Sequence, residues 1–161
     1  MTQSLGETFE HLLGDFSKLS ARIRTLEPNI ESCSDQFSVK VHYVSFRQGE
    51  PTVDDLVDVL NNHVIAFCLP KFKIRDAREE VISTKNLTEA QEVFSRIHNE
   101  ACGYYIRAAK GSSRSGEGGE VLLYMLNEWI LGAPQIVSKM FLKTNYDMPV
   151  HGNDGIHARY D

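Results

Sequence analysis

The sequence lacks the features that mark membrane, secreted and zinc-binding proteins. Among its 161 residues no apolar run approaches the roughly 18 residues of a transmembrane helix. Residues 1–10 lack the basic segment and apolar core of a secretory signal. Its cysteines, Cys33, Cys68 and Cys102, are widely spaced and form no C-x-x-C pair, which favours reduced thiols over a zinc cluster. We therefore expect a cytoplasmic protein.

Two catalytic signatures and a global basic charge are missing as well. No G-K-[ST] follows Gly116-Glu117-Gly118-Gly119, which excludes a P-loop, and no G-x-S-x-G is present for a serine hydrolase. The formal net charge of −5 excludes a uniformly basic nucleic-acid binder. The acidic excess lies in residues 1–102, which hold 11 basic and 16 acidic side chains, whereas residues 103–161 hold six of each. A local basic surface in the later part therefore stays open.

What is present is an ordinary globular composition, 42% hydrophobic and 24% charged, with strong helical periodicity. It predicts one domain of the α+β class, mostly helical, with an N-terminal and a C-terminal strand. Thr88 and Gln91 are spaced as a capping box for one of the helices. Residues 71–86 are predicted as a short helix or a loop, and 63–69 as the end of a helix, with a strand as the alternative. The other predictions are helices over 7–23, 53–69, 88–110, 120–131 and 134–142, and strands over 39–46 and 156–160.

Two acidic residues with neighbouring glycines are the candidate metal ligands. Glu120 follows Gly118 and Gly119 at the predicted start of a helix, and Asp154 lies in a turn just before Gly155. Carboxylate oxygens are the ligands that Mg²⁺ prefers, and glycines allow a phosphate backbone to approach closely. As a bare pattern the pair is also typical of a first-turn helix acid and a turn former, so both interpretations stay open.

Several basic side chains are candidates for phosphate contacts. Lys110 and Arg114 lie in a stretch without acidic residues from Tyr104 to Gly116, and Lys139 and Lys143 are spaced i, i+4. Such residues bind a nucleic-acid backbone or simply form a solvated surface, and the sequence does not decide between the two. His151 and His157 flank Asp154, a pattern more typical of hydrogen-bonded structure than of a metal site.

The segment GEGGEVLLYMLNEWILGAPQIVSKMFLKTNYDMPVHGNDGIHA resembles the HamA family, the effector subunits of the Hachiman antiphage system, and its AbpA relatives. The similarity is specific over about residues 104–158. It implies an antiviral defence protein whose C-terminal part is a PD-(D/E)xK nuclease core, which acts on DNA with Mg²⁺ (Mn²⁺ as an alternative) and with a superfamily 2 helicase partner. By this resemblance Glu120 and Asp154 are the catalytic and metal-binding residues, and Glu117 is the second choice for the helix acid.

One element of the nuclease pattern is not found. A PD-(D/E)xK centre needs an E-x-K on the strand after the motif Asp, but residues 155–161 contain no lysine. We therefore expect residues 1–102 to be a helical N-terminal region and 103–161 the start of an incomplete nuclease-like core that does not cut DNA alone. An unpaired strand edge at 156–160 would favour self-association. The alternative function is a non-catalytic module that docks on the helicase.

Overall fold

The computed structural model describes residues 12–28, 39–110, 116–142 and 155–160, with only the backbone at Glu117. The chain is mostly helical with short antiparallel strands, which confirms the α+β class. In these ranges no helix is long and apolar enough to cross a membrane. The helices and strands run in the order α1 Ser17–Arg22, β1 Ile23–Leu26, β2 Val41–Val44, β3 Phe46–Arg47, β4 Glu50–Pro51, α2 Val53–Cys68, α3 Lys71–Ser83, α4 Leu87–Lys110, α5 Glu117–Leu131, β5 Gln135–Val137, α6 Lys139–Leu142 and β6 Ile156–His157.

The chain divides into two compact units. Residues 15–61 form the first, which we call the hairpin unit, and residues up to Gly14 together with those from Asn62 onward form the second, the helical unit. The division at residue 102 that the sequence suggests is not tested by this partition and stays a prediction.

The hairpin unit contains two antiparallel strand pairs. β1 pairs with β2 from Ile23↔Val44 to Leu26↔Val41, and β3 pairs with β4 around a turn at Gln48 and Gly49, both with positive φ. The predicted strand over 39–46 is therefore confirmed over Val41–Val44, and Phe46 begins the separate strand β3. The predicted helix over 7–23 is confirmed only over Ser17–Arg22 and is wrong over residues 12–16 and at Ile23. Residues 7–11 of that prediction lie outside the described residues. Ile23 is in a strand and not in the helix because its backbone pairs with Val44 of β2.

The helical unit confirms several helices that periodicity predicts. α2 runs without interruption to Cys68, which excludes the strand alternative for 63–69, and residues 71–83 form α3. Val93, Ile97, Ala101 and Ala108 of α4 are buried, as their spacing predicts. α4 also packs against α3 and α5 within this unit.

The capping box of α4 lies two residues earlier than predicted. Asn86 Oδ1 accepts from the backbone N–H of Glu89 at 3.0 Å, and the Glu89 carboxylate accepts from the N–H of Lys85 at 3.0 Å. Thr88 is already inside the helix. Asn86 caps the helix in place of Thr88 because an asparagine caps at least as well as a threonine and Asn86 has a glutamate three residues later.

The chain after α5 differs from its sequence prediction. Gly132 adopts a left-handed conformation (φ 59°) and ends α5, as expected for a glycine at this position. The predicted helix over 134–142 is wrong over Gln135–Val137, which form β5, and only Lys139–Leu142 are helical. β5 pairs antiparallel with β6, with Gln135 opposite His157, so the predicted C-terminal strand is confirmed over Ile156–His157.

Candidate functional site

The inward face of α5 carries two acidic side chains in line with a tyrosine. Val121, Tyr124, Met125 and Glu128 are buried, and their spacing of i, i+3, i+4 and i+7 defines one face of the helix. Glu120 lies one turn before Tyr124, so Glu120, Tyr124 and Glu128 follow each other at intervals of four residues. Side chains at such intervals lie next to each other along a helix surface.

Glu120 lies in the first turn of α5, where the helix dipole favours a negative charge. Its backbone N–H donates to the carbonyl oxygen of Gly116 at 3.0 Å, which closes the first helical turn. Its carboxylate oxygen Oε1 lies 3.9 Å from Nζ of Lys139, and these side chains are 27% and 19% exposed, respectively. The tertiary structure therefore brings together two of the residues selected from the sequence, one acidic and one basic.

His157 connects β6 to the same face of α5. Its ring lies 6.0 Å from the ring of Tyr124, and its Nδ1 donates to the carbonyl oxygen of Ala133 at 2.8 Å. A Cβ atom added at Gly155 would lie only 2.9 Å from His157 Nε2. The ring is thus held by the backbone before β5 and by Tyr124, one helical turn from Glu120, which agrees with the hydrogen-bonded structure favoured for this histidine.

For most of the remaining sequence candidates the structure describes no side chain. Asp154, Arg114 and Lys143 lie outside the described residues, and Glu117 is described by its backbone alone. Lys110 is exposed at the C-terminal end of α4. Within ranges 12–28, 39–110, 116–142 and 155–160, no three His, Cys, Asp or Glu side chains form a group that would hold a metal ion.

The chain as a whole matches the model of a known protein family. The HamA family model matches residues 21–161, which is most of the chain and more than the 104–158 stretch that carries the visible motifs. This chain belongs to the HamA family. Membership makes it an antiphage defence protein. No curated protein and no solved structure matches the chain.

Within this HamA chain, Glu128 is the residue that reasoning from the sequence missed. Its side chain is fully buried in the helical unit, and its carboxylate accepts from the N–H of Gln135 at 2.8 Å and from the N–H of Gly14 at 3.3 Å. Lys71 Nζ lies 3.6 Å away. One signal was available: Glu128 is seven residues after Val121 and three after Met125, which places a carboxylate on a face that is otherwise apolar or aromatic.

The Tyr124 hydroxyl donates a hydrogen bond to the carboxylate of Glu128, four residues later on α5. Burial raises the pKa of the Tyr124 phenol far above its ordinary value, and the negative charge of Glu128 and this hydrogen bond raise it further. The phenol therefore stays protonated at neutral pH and acts as a donor. In this family member the inner face of α5 thus has a structural acid at one end, Glu128, and a partly exposed acid at the other, Glu120.

Proposed function

We propose that this HamA-family chain belongs to the DNA-cleaving effector of an antiphage defence system, a Mg²⁺-dependent nuclease that works with a helicase partner and whose centre also needs the E-x-K that residues 155–161 lack. The observation that carries the proposal is the placement of Glu120. It is a partly exposed carboxylate on the first turn of α5, beside the ammonium group of Lys139. A carboxylate that can hold a metal ion next to a cation that can meet a phosphate is the combination that a site for anionic phosphodiesters uses.

The chemistry of Glu120 fits a magnesium ligand. Mg²⁺ is usually held by one or two carboxylates together with waters and substrate phosphate oxygens. The Glu120 side chain is about a quarter exposed, and its Oε2 atom is buried. Asp154 would supply the second carboxylate, with Glu117 as the alternative helix acid. When bound, the ion would polarise the phosphate and lower the pKa of a bound water.

The proposed reaction is hydrolysis of a DNA phosphodiester. A water oxygen bonds to phosphorus and the water loses a proton, while the bond from phosphorus to one sugar oxygen breaks and that oxygen receives a proton. Four basic residues would hold the DNA through its phosphate oxygens and take no part in the bond changes: Lys110, Arg114, Lys139 and Lys143. Such contacts carry no sequence information, so binding should weaken with salt and depend little on sequence.

The first prediction tests the metal carboxylates. In a plasmid-nicking assay of the full-length protein, with Mg²⁺ or Mn²⁺ and the helicase partner present, Glu120→Gln and Asp154→Asn should each reduce cleavage by about 100-fold or more, because each removes a charged oxygen ligand. The melting temperature of Glu120→Gln should stay close to wild type, since Glu120 is partly exposed at the start of a helix.

Glu92→Gln is the matched control, because Glu92 is an exposed acid on α4. It should cleave at the wild-type rate. Wild-type cleavage by Glu120→Gln would contradict the assignment of the site. A wild-type protein that binds the helicase but gives no metal-dependent cleavage would instead favour the non-catalytic docking function.

A further inference from the structure

Three aromatic side chains from three different helices meet at one place on the helical unit. The ring of Phe141 on α6 lies 6.2 Å from the ring of Phe72 on α3 and 5.9 Å from the ring of Tyr104 on α4, with interplanar angles of 84° and 66°. Phe72 is 50% exposed, whereas Tyr104 and Phe141 are half-buried. We call these three residues the aromatic cluster. Because its rings pack edge to face, the cluster holds the exposed ring of Phe72 in place.

Cations lie over two of the rings of the aromatic cluster. Lys73 Nζ is 5.1 Å from the centre of the Phe141 ring, and the guanidinium carbon of Arg107 is 5.0 Å from the centre of the Tyr104 ring. Both distances are within the range of cation–π attraction. Lys73 also pairs with Glu100, whereas Arg107 is exposed in the last turn of α4. The surface therefore combines exposed aromatic carbon with positive charge.

The chain segments that contribute the three rings are basic. Five lysine or arginine residues, and no aspartate or glutamate, occur in residues 71–73, 104–110 and 139–142. Three of the five pair with acids from other segments: Lys71 with Glu128, Lys73 with Glu100 and Lys139 with Glu120. Five cations against three acids leave a local surplus of positive charge on a chain whose net charge is −5. This surface therefore favours an anionic ligand.

A ligand that would use both the rings and the cations is a DNA strand with unpaired bases. In a duplex the faces of a base are covered by its neighbours, whereas an unpaired base can stack on an exposed aromatic ring while cations contact the backbone phosphates. Surfaces that dock proteins are depleted in lysine, which makes a protein ligand the less favoured alternative here.

We propose that the aromatic cluster binds single-stranded DNA, with a base stacked on Phe72 and a neighbouring phosphate on Arg107. The inference rests on the proposed function for the choice of DNA as the ligand. It adds to that function the form of DNA that the protein holds, and it adds residues that contact the bases and not only the phosphates.

The second prediction tests the stacking contact by fluorescence anisotropy of a labelled single strand of about 12 nucleotides. The full-length protein is used alone and without divalent cations, so that binding is measured without cleavage. Phe72→Leu keeps an apolar side chain but removes the ring, and it should weaken binding by about 10-fold, as expected for the loss of one stacked base. Phe72→Trp keeps a ring and should bind at least as tightly as wild type.

Arg107→Met tests the phosphate contact independently and also serves if Phe72→Leu does not fold. It should weaken binding to all sequences about equally. The slope of log affinity against log salt should become shallower by about 0.7, the value for one phosphate contact on a single strand. Arg78→Met is the matched control, since Arg78 is an exposed arginine of α3 outside the three segments. Its affinity and its slope should match those of wild type.

Phe94→Leu is the matched control for Phe72→Leu, since Phe94 is another exposed phenylalanine, at 58%, on α4. It should bind the single strand as wild type does. Wild-type affinity of Phe72→Leu would overturn the inference. So would equal weakening by Phe72→Leu and Phe94→Leu, because exposed apolar area and not stacking would then be responsible. Loss of helicase binding by Phe72→Leu with unchanged DNA affinity would also overturn it and would assign the surface to the protein partner.

The cleavage assay of Glu120→Gln distinguishes failure of this inference from failure of the proposed function. If Glu120→Gln is inactive while Phe72→Leu binds single-stranded DNA normally, only the role of the aromatic cluster is wrong. If Phe72→Leu weakens binding while Glu120→Gln cleaves normally, the proposed catalytic site is wrong and the DNA-binding surface is supported.

Discussion

At the scale of single residues, the carboxylate of Glu128 joins distant parts of the helical unit. It accepts hydrogen bonds from the backbone of Gln135 and Gly14 and from the Tyr124 hydroxyl, and it pairs with Lys71 at 3.6 Å. A buried charge is tolerated when its oxygens are satisfied in this way, but removing one partner of such a pair leaves an uncompensated group. Glu128 is therefore a structural acid, in contrast to the partly exposed Glu120.

The third prediction concerns Glu128→Gln, which keeps the size of the side chain and removes its charge. We expect the free energy of unfolding to fall by about 3 kcal/mol, at the lower end of the range for a broken buried pair because Lys71 is about one third exposed. Urea unfolding measures it. The exposed control Glu92→Gln should change stability by less than about 0.5 kcal/mol. Equal stability of Glu128→Gln and wild type would show that the charge of Glu128 gives no net stabilisation.

At the scale of elements, the start of α4 depends on a local cap. The Asn86 side chain satisfies the N–H of Glu89, one of the N–H groups that have no partner within the helix. Glu89 in turn bonds the N–H of Lys85 and the side-chain amide of Asn86, at 3.0 and 2.9 Å. These contacts are short-range, so their loss should affect stability without changing the fold.

The fourth prediction follows from this cap. Asn86→Ala should lower the free energy of unfolding by about 1 kcal/mol, the usual cost of removing a capping side chain. Thr88→Ala is a matched control, since Thr88 is exposed within the first turn and has the spacing that the sequence alone favours for the cap. It should cost clearly less. A larger loss for Thr88→Ala than for Asn86→Ala in urea unfolding would contradict the observed cap.

At the scale of the whole molecule, two buried groups make the free energy of unfolding depend on pH in the alkaline range. Burial, and to a smaller extent the nearby Cys102, raises the pKa of the Cys68 thiol to about 12. The pKa of Tyr124 is raised as well. Between the unfolded and folded pKa values the unfolded chain loses these protons first, so the folded state is favoured less as the pH rises.

The fifth prediction is that the free energy of unfolding is unaffected by Cys68 below about pH 9 and falls from there toward pH 12. The slope from this one group reaches about 1.4 kcal/mol per pH unit, and Tyr124 adds to it above about pH 10. Urea unfolding at a series of pH values measures the slope. Cys68→Ala should show a shallower decline, because all other titrating groups are shared. Parallel pH curves for the two proteins would exclude Cys68 as a source of the effect.

Much of the fold follows from local patterns in the sequence. α2, α4 and α5 are predicted because apolar residues at i, i+3, i+4 and i+7 must be removed from water together. The end of α5 is predicted because Gly132 is free to adopt a left-handed conformation. Family membership was also readable, from the string between Gly116 and Ala158, and the family match extends it upstream to residue 21. The roles of Glu120 and Asp154 stay predictions.

The remainder was decided by contacts between residues far apart in the sequence. Gln135–Val137 are a strand because β6, about twenty residues later, pairs with their backbone, and no local pattern contains that partner. Lys139 meets Glu120 only because β5 and α6 carry the chain back along α5. Glu128 is buried because backbone donors from Gln135 and Gly14 converge on its carboxylate, so its charge is satisfied away from water. Sequence periodicity records which side chains avoid water, whereas hydrogen-bond and charge partners across the fold exist only once the elements have packed.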